Sequence, residues 1–587
     1  MLGKGVAQAD QRAADHPYLD HVGRDSFYGF LAARGNQFFR DEDFAALYCA
    51  DSGRPSVPPS LLATALLLQT CDGVSDDEAK ARADFDLRWK VALGVGLDAR
   101  PCAKSTLQRF RAQLIEHEQA RAIFQRRLAF ARQVGHLTRR QVTLALDTSY
   151  IHGRGAVKDT YNLLADGIVR LLRARAACAG EGLDEWAGAH GLGRYCGTSL
   201  KGTAGIDWDD LAARRAFLQS LVADADRLLA DARQVLAGLA ADEPGPAGVH
   251  EAADLLAQLL QQDIERRDDG AAIREGVSPD RVVAVHDPEM RHGRTSAAKR
   301  FDGHKGAIAV DAERQLILAA AVLPGNAQDH EEALDLVKQA EEHDAVAVVE
   351  AVADCAYGDG ETRQAFADAG RQLVAKVPQR RDQAHFPKDD FRIDLEMVTC
   401  TCPAGHECRT VAAIGSGRRY GAPGVALRAF RFDAASCDAC PLRPACVRAR
   451  PGRGRLVMRH PREALLQAAR AFQRSPAFAP YRRLRQVAEH RLARLMQLGV
   501  RQARYVGRTK TLFQLLLAAT VANLTLAATA VGLMRGHPPP GRPQRPPPGA
   551  PFHVDRDLPA TRCGRAPRPP APALCAGGFS AALLETV

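Results

Sequence analysis

Three carboxylates, Asp147, Asp354 and Glu489, combine a residue type and a placement suited to holding hard divalent cations. Asp147 closes the alternating run QVTLALD (141–147), in which Val142, Leu144 and Leu146 share one face of a predicted strand. Asp354 closes a second strand-like run, VAVVEAVAD (346–354). An acid at a strand end emerges into a site rather than into the core. Glu489 is the single acid in YRRLRQVAEHRLARLMQLGVRQARYVGRTK (481–510), among nine Lys or Arg residues. Leu484, Ala488, Leu492, Leu495 and Leu498 mark the buried stripe of a helix there, and at about 100° per residue Arg482, Arg485 and Glu489 fall together beside that stripe.

Each acid also has a bland reading. A strand-end aspartate commonly caps a turn, and Arg485 with Glu489 at i,i+4 makes a surface ion pair of about 0.2–0.5 kcal/mol. As an ordered set the three acids suit Mg²⁺, which takes oxygen ligands and usually one or two carboxylates. Phosphodiester chemistry gains most from two such ions, which clamp the attacking and leaving oxygens. The arginines around Glu489 would then grip phosphates. Other acids compete: Asp287, beside His286 and before Pro288, is the main rival for the second position. Asp302 and Asp311 lie near a predicted hairpin, with Asp311 read as a turn residue, and Asp359 and Glu361 are assigned to the loop after Asp354.

A second constellation is made of thiols. Six of the 14 cysteines fall between Cys400 and Cys446. Cys402, then Cys437-x-x-Cys440 and Cys446, give two short arms that can close a tetrahedral zinc site, with Cys400, Cys408 and His406 as further candidates for the fourth ligand. Chelation would order a segment poor in apolar residues. Reduced surface thiols are the alternative. Cys49, Cys71, Cys102, Cys178, Cys196 and Cys355 are scattered and read as small core residues. The N-terminus lacks the apolar run of a secretory signal, so a disulfide framework is not expected.

The elements that must position these groups follow from periodicity. Residues 1–120 read as helical: Ser60 follows two prolines as a candidate N-cap, Ser75 precedes three acids, and Ser105 with Gln108 suggests a capping box. Residues 160–280 read as Ala- and Leu-rich helices split by a PGPAG turn (244–248). Short strands are expected at Val282 to Val285, and a hairpin at Lys305 to Asp311 and Gln315 to Leu323. Residues 378–460 form an irregular Cys-rich stretch, and a helical region runs from 461 to about 534. The uncharged span Thr511 to Met534 is long enough for a bilayer, but Gln514, Asn523 and its threonines favour a buried core helix. Residues 536–587, rich in Pro and Arg, cannot build a core and read as a disordered tail. The net charge of +10, from 79 Lys and Arg against 69 Asp and Glu, favours phosphate-bearing partners.

Several segments in order resemble the DDE transposases of bacterial insertion sequences: GRPSVPPSLLATALLLQ (53–69), LALDTSYIHGRGAVKDTYNLLADGI (144–168), HDPEMRHGRTSAAKRFDGHKGAIAVD (286–311), VLPGNAQDHE (322–331), ADCAYGDGETR (353–363) and YRRLRQVAEHRLARL (481–495). The resemblance implies an α/β, RNase H-like mixed sheet flanked by helices at 140–535, carrying the helical and Cys-rich insertions, after a helical DNA-binding domain at 1–120. It implies that Asp147, Asp354 and Glu489 bind two Mg²⁺ (or Mn²⁺) ions and catalyse cleavage of terminal inverted repeats and joining to target DNA. It implies DNA contacts from Tyr481, Arg482, Arg485, Arg491, Arg494, Arg504, Arg508 and Lys510, a homodimer in the DNA complex, no membrane, and a cytoplasmic, nucleoid-associated location. The family's Tyr-Arg-Glu-Lys signature is altered here: the Tyr481–Arg485 gap is one residue longer, and Met496 replaces the lysine. A nuclease without strand transfer and an inactive DNA-binding remnant are the other functions compatible with these residues.

Overall fold

The computed structural model describes residues 1–3, 16–49, 53–136, 141–197, 199–238, 244–278, 280–296, 298–344, 346–378, 384–416 and 426–534. The Pro-rich tail at 536–587 lies outside the described residues.

The chain is mixed α/β, and its centre is a six-stranded mixed sheet flanked by helices, an RNase H-like arrangement. Strand β1 (Gln141–His152) opens it. A helical insertion follows, built on the helices Thr160–Ala179, Leu211–Gly238 and Pro244–Asp263 with a core of its own, and ends in the hairpin β2 (Ile264–Arg267) and β3 (Gly270–Ile273). The chain then returns to the sheet through β4 (Arg291–Arg294), β5 (Arg300–Asp311), β6 (Ile317–Pro324), β7 (Ala347–Val352) and β8 (Gln372–Val374). The order is β4-β5-β1-β7-β8, with β6 also paired to β5. β1 is antiparallel to β5 and parallel to β7. The Cys-rich insertion carries two small sheets: β9 (Arg392–Asp394), β10 (Thr399–Thr401) and β11 (Glu407–Cys408), then β12 (Val411–Ser416), β13 (Ala426–Arg431) and β14 (Leu456–Arg459).

Local sequence explains many element ends. Ser75 and Glu78 form a reciprocal capping box at the helix Asp76–Phe85. Asp311 is the turn residue expected between β5 and β6, its Oδ1 accepting from the N–H groups of Glu313 and Arg314. Other expectations are corrected. Ser60 is not an N-cap: the helix Pro59–Asp72 starts at proline, and the Ser60 hydroxyl donates to Asp41 instead. The helix Lys104–Glu116 has no side-chain cap, because it starts before Ser105 with Ala103 as its N-cap, and Gln108 donates to Asp76. Pro244 begins a helix rather than a turn, since proline is tolerated in a first turn that needs no N–H. Residues 282–285 are buried coil without strand pairing.

The apolar span of the sequence becomes the helix Arg508–Ala530, the one helix among the described residues apolar and long enough to cross a membrane; it is mostly buried in the protein. It packs on β6 and on the helices Pro59–Asp72 and Gln119–Gln133. N-terminal helices and central sheet therefore share one hydrophobic core. Its two side-chain amides serve backbone: the Asn523 amide clamps the N–H and C=O of Ile317 on β6, at 3.0 and 2.8 Å, and Gln514 bonds Gly499, Gln502 and Arg504.

Asp76 ties the N-terminal helices to the segment that follows Glu489. Its carboxylate accepts from Gln69, Gln108, Arg111 and Arg504. Burial pushes this carboxyl up, but the bonds and charge of Arg111, the Gln69 amide and the charge of Arg504 outweigh burial, and its pKa ends well below the ordinary value. A carboxyl depressed in the folded state stabilises above its unfolded pKa, about 4, and that contribution fades as pH falls toward the folded value. Asp76→Asn should therefore lower the urea midpoint at neutral pH and flatten its fall on acidification below pH about 4. A variant with an unchanged neutral midpoint would show that the contacts contribute nothing.

Candidate active site

The two aspartates meet through strand register. Ala145 on β1 pairs in parallel with Val352 on β7, so Asp147 and Asp354 each stand two residues further along neighbouring strands. Asp147 is not at a strand end as the alternation suggests. β1 continues to His152 because β5 keeps pairing with it, while β7 has already left. Asp147 thus sits at the fork where β7 diverges, and Asp354 sits just past the end of β7. The Asp354 Oδ1 accepts from Ala356 N–H at 2.8 Å, capping a one-turn 3₁₀ helix, and the Asp147 Oδ1 accepts from Thr148 N–H at 2.8 Å.

The helix Ala479–Gln497 crosses this fork and packs on β1, β5 and β7. Ala488, Leu492 and Leu495 are buried in the common core, as the stripe requires, and place Arg485 and Glu489 beside it. Arg485 Nη1 lies 2.7 Å from Glu489 Oε1, so the i,i+4 ion pair forms. The same two residues act electrostatically on both aspartates. The surface-pair and site readings therefore describe one arrangement.

Negative charge accumulates here. Burial, then the charges of Asp354 and Glu489, push the Asp147 carboxyl up to about 7 against the help of Thr148 N–H and Arg485. Asp354 is raised too, mainly by burial and by Asp329 and Glu489. Tyr357, fully buried beside Asp147, Asp329 and Asp354, is driven far above its ordinary value by burial and those three charges. Among the described residues no three His, Cys, Asp or Glu side chains already stand as a metal-binding group. The donor set nevertheless fits divalent cations: hard oxygens, partly desolvated, with fewer cations than anions around them.

Sequence reasoning missed two members. Lys305 is buried in β5 opposite Tyr150, and its Nζ lies 2.7 Å from Asp329 and 2.6 Å from the Ala327 carbonyl. A lysine inside the apolar run KGAIAV signals a required counter-ion, and Asp329 in QDHE supplies it. Asp287 stays out of the cluster: it is fully buried against His304, with Nε2 3.5 Å from its carboxylate. Asp302 pairs with His292 at 2.5 Å. Asp359 caps the helix Gly360–Asp368, in the loop after Asp354.

The basic residues divide. Arg482 is exposed, and Arg485 faces the acids. Arg494 lies 3.2 Å from Gln497, Arg508 pairs with Glu289 at 3.0 Å, and Lys510 is half-buried. Arg491 is corrected: it is buried within the protein, 7% exposed and directed at Asn523, so it cannot reach a phosphate. Burial lowers its pKa to about 10. Arg504 is committed to Asp76 and the Val74 carbonyl. The Tyr481 hydroxyl donates to Glu350 at 2.9 Å, and its ring packs on Phe472 and Phe478, which gives it a bracing role.

In the Cys-rich insertion, Cys402, Cys437, Cys440, Cys446 and His406 line a cavity of about 30 Å³. Burial raises the Cys446 thiol, with Cys437, Cys402 and Cys440 adding to it. Cys400 and Cys408 stand apart as a buried cross-strand pair between β10 and β11, and Cys408 Sγ donates to the Arg431 carbonyl.

A carboxyl held above its unfolded pKa costs stability once ionised. Without metal and at pH above about 7, Asp147→Asn should unfold at a higher temperature than the parent. A lower melting temperature would mean that the acids are not mutually repelling.

Two family models match the chain. Transposase domain (DUF772) matches residues 17–113, the N-terminal helices. Transposase DDE domain matches residues 401–526, which include Glu489 and the core helix but neither Asp147 nor Asp354. No curated protein and no solved structure matches the chain. These two matches, with a mixed sheet whose fork carries the paired aspartates between them in the chain, support a DDE-type insertion-sequence transposase.

Proposed function

We propose that this transposase cleaves the ends of its own element and joins the freed 3′-hydroxyls to target DNA, with Asp147, Asp354 and Glu489 as the ligands of two divalent cations. The parallel register that aligns Asp147 with Asp354 beneath Glu489 carries the proposal. Bound there, Mg²⁺ or Mn²⁺ would supply Lewis-acid stabilisation of the oxygens entering and leaving phosphorus. Asp147 and Asp354 orient that charge from the sheet, and Glu489 closes the set from the helix. Arg485, now paired with Glu489, neutralises a non-bridging phosphate oxygen once the acid is occupied. In the first step water attacks the phosphorus at the element end and the 3′-oxygen leaves. In the second that 3′-hydroxyl attacks a target phosphodiester and displaces its 3′-oxygen. Working on two ends requires at least two copies of the chain on DNA, which places it at the nucleoid.

The substrate is a duplex carrying the inverted repeats that flank the coding sequence. Asp147→Ala, Asp354→Ala and Glu489→Gln should each reduce Mg²⁺-dependent nicking by roughly a thousandfold or more, with joint loss no greater than single loss. Retained nicking in any of them removes that residue from the site. Nicking by the parent without joined product would favour a nuclease, and end binding without metal-dependent nicking an inactive remnant.

Cys402, Cys437, Cys440 and Cys446 are proposed to hold a structural zinc ion, since four sulfurs around one small cavity suit its tetrahedral preference. Purified protein should carry about one zinc per chain, and Cys437→Ser with Cys440→Ser should remove it while sparing the stability of the central sheet. Full zinc content in that double variant refutes the assignment.

A further inference from the structure

The Cys-rich insertion has a basic face that the three-acid site leaves unexplained. From Arg443 to Arg462 the chain carries seven arginines and no acid. Three of them have internal work. Arg443 pairs with Asp438, Arg455 donates to the carbonyls of Cys446 and Phe386, and Arg462 lies 3.7 Å from Glu361. Arg450 and Arg453 stand exposed on the loop before β14, and neither has an acidic partner among the described residues. Arg459 on β14 is paired directly across from Arg428 on β13. Like charges at opposed positions of an antiparallel ladder repel and destabilise it. Such a pair becomes favourable when an anion lies against it.

The face is also fixed relative to the acids. The turn after β14 is pressed on the start of the helix Gly360–Asp368, where a Cβ on Gly360 would come within 2.4 Å of the His460 ring. Any larger residue there would push the His460 ring aside, and Gly360 lies six residues after Asp354. A groove of about 500 Å³ runs along this junction, lined by Asp359, Gly360, Arg455, Arg459 and His460 among others. Lys388 and Arg470 on its wall are already paired with Glu463 and Asp389. Asp359 is spent on its helix cap. Arg459 therefore faces the groove without an acidic partner among the described residues, beside Arg455, whose guanidinium bonds only to carbonyls.

We propose that the Arg428–Arg459 strand pair and the Arg450–Arg453 loop bind the phosphate backbone of the DNA duplex that is cut at the acid cluster. The inference rests on the DNA-cutting reading above and adds a binding surface to it. Backbone contacts of this kind position a duplex without reading its sequence.

The test uses the full chain and a mixed-sequence DNA duplex, with affinity measured over a range of salt. Each phosphate contact contributes about 0.9 to the slope of log affinity against log salt. The triple variant Arg450→Gln, Arg453→Gln, Arg459→Gln should lose roughly two to three units of slope. Replacing the same three residues by lysine should restore it. An unchanged slope in the glutamine variant overturns the inference, as does a loss seen only with an RNA duplex or an acidic protein. If the triple variant does not fold, the single exposed change Arg453→Gln decides, with a loss of about 0.9 expected and no loss overturning. A parent protein that shows no salt-dependent duplex binding refutes the DNA-cutting reading itself. Parent binding with an unaltered variant refutes only this surface.

Discussion

Burial of two neighbouring aspartates, with repulsion from nearby carboxylates added to it, is the constraint on which the site depends. Asp147, Asp354 and the exposed Glu489 are held within electrostatic reach of one another, with Asp329 beside them, while burial denies the two aspartates the water that would otherwise screen them. A fold does not tolerate that arrangement for its own stability. Arg485 and Lys305 relieve part of it, each through a single ion pair. The residual negative potential is what a divalent cation and a phosphate together would satisfy.

Everything around the cluster keeps it from relaxing. β1 is hydrogen-bonded by β7 up to Ala145 and by β5 to its end, where His152 also bonds the backbone of Arg501 and Ala503, so Asp147 is held within a paired strand. The helix carrying Glu489 is locked by its apolar stripe and by the helix Arg508–Ala530 behind it. That second helix is bolted to β6 through Asn523 and to the N-terminal helices through shared packing. Asp76 adds an ionic link between the same parts through Arg111 and Arg504. The N-terminal helices thus brace the acid site from behind.

Much of this was legible from residue patterns. Alternation located β1, β5, β6 and β7, and the spacing of Ala488, Leu492 and Leu495 fixed which side of the last long helix faces inward. Gln514 and Asn523 correctly separated a core helix from a membrane span, since polar side chains so placed must satisfy backbone within a fold. Misreadings came where distant partners compete with local ones. Gln108 and Ser60 prefer aspartates on other helices to their own caps. Arg491 and Arg504 have the composition of phosphate ligands, yet one is turned into the core and the other is taken by Asp76.

The sequence by itself determined the strands and helix that bear the proposed acids and the apolar stripes that orient those elements, because each depends on periodicity within a few residues. It also determined that four cysteines form two short arms. Only the tertiary structure decided that β7 leaves β1 just before Asp147, that Asp329 and Lys305 join the cluster, that Asp287 is buried elsewhere, and which arginines are free. Those outcomes depend on strand register and on competition between residues from about twenty to several hundred positions apart. Such contacts are chosen by the packing of the whole chain, and apart from the lysine within the apolar run of β5 they leave little local trace.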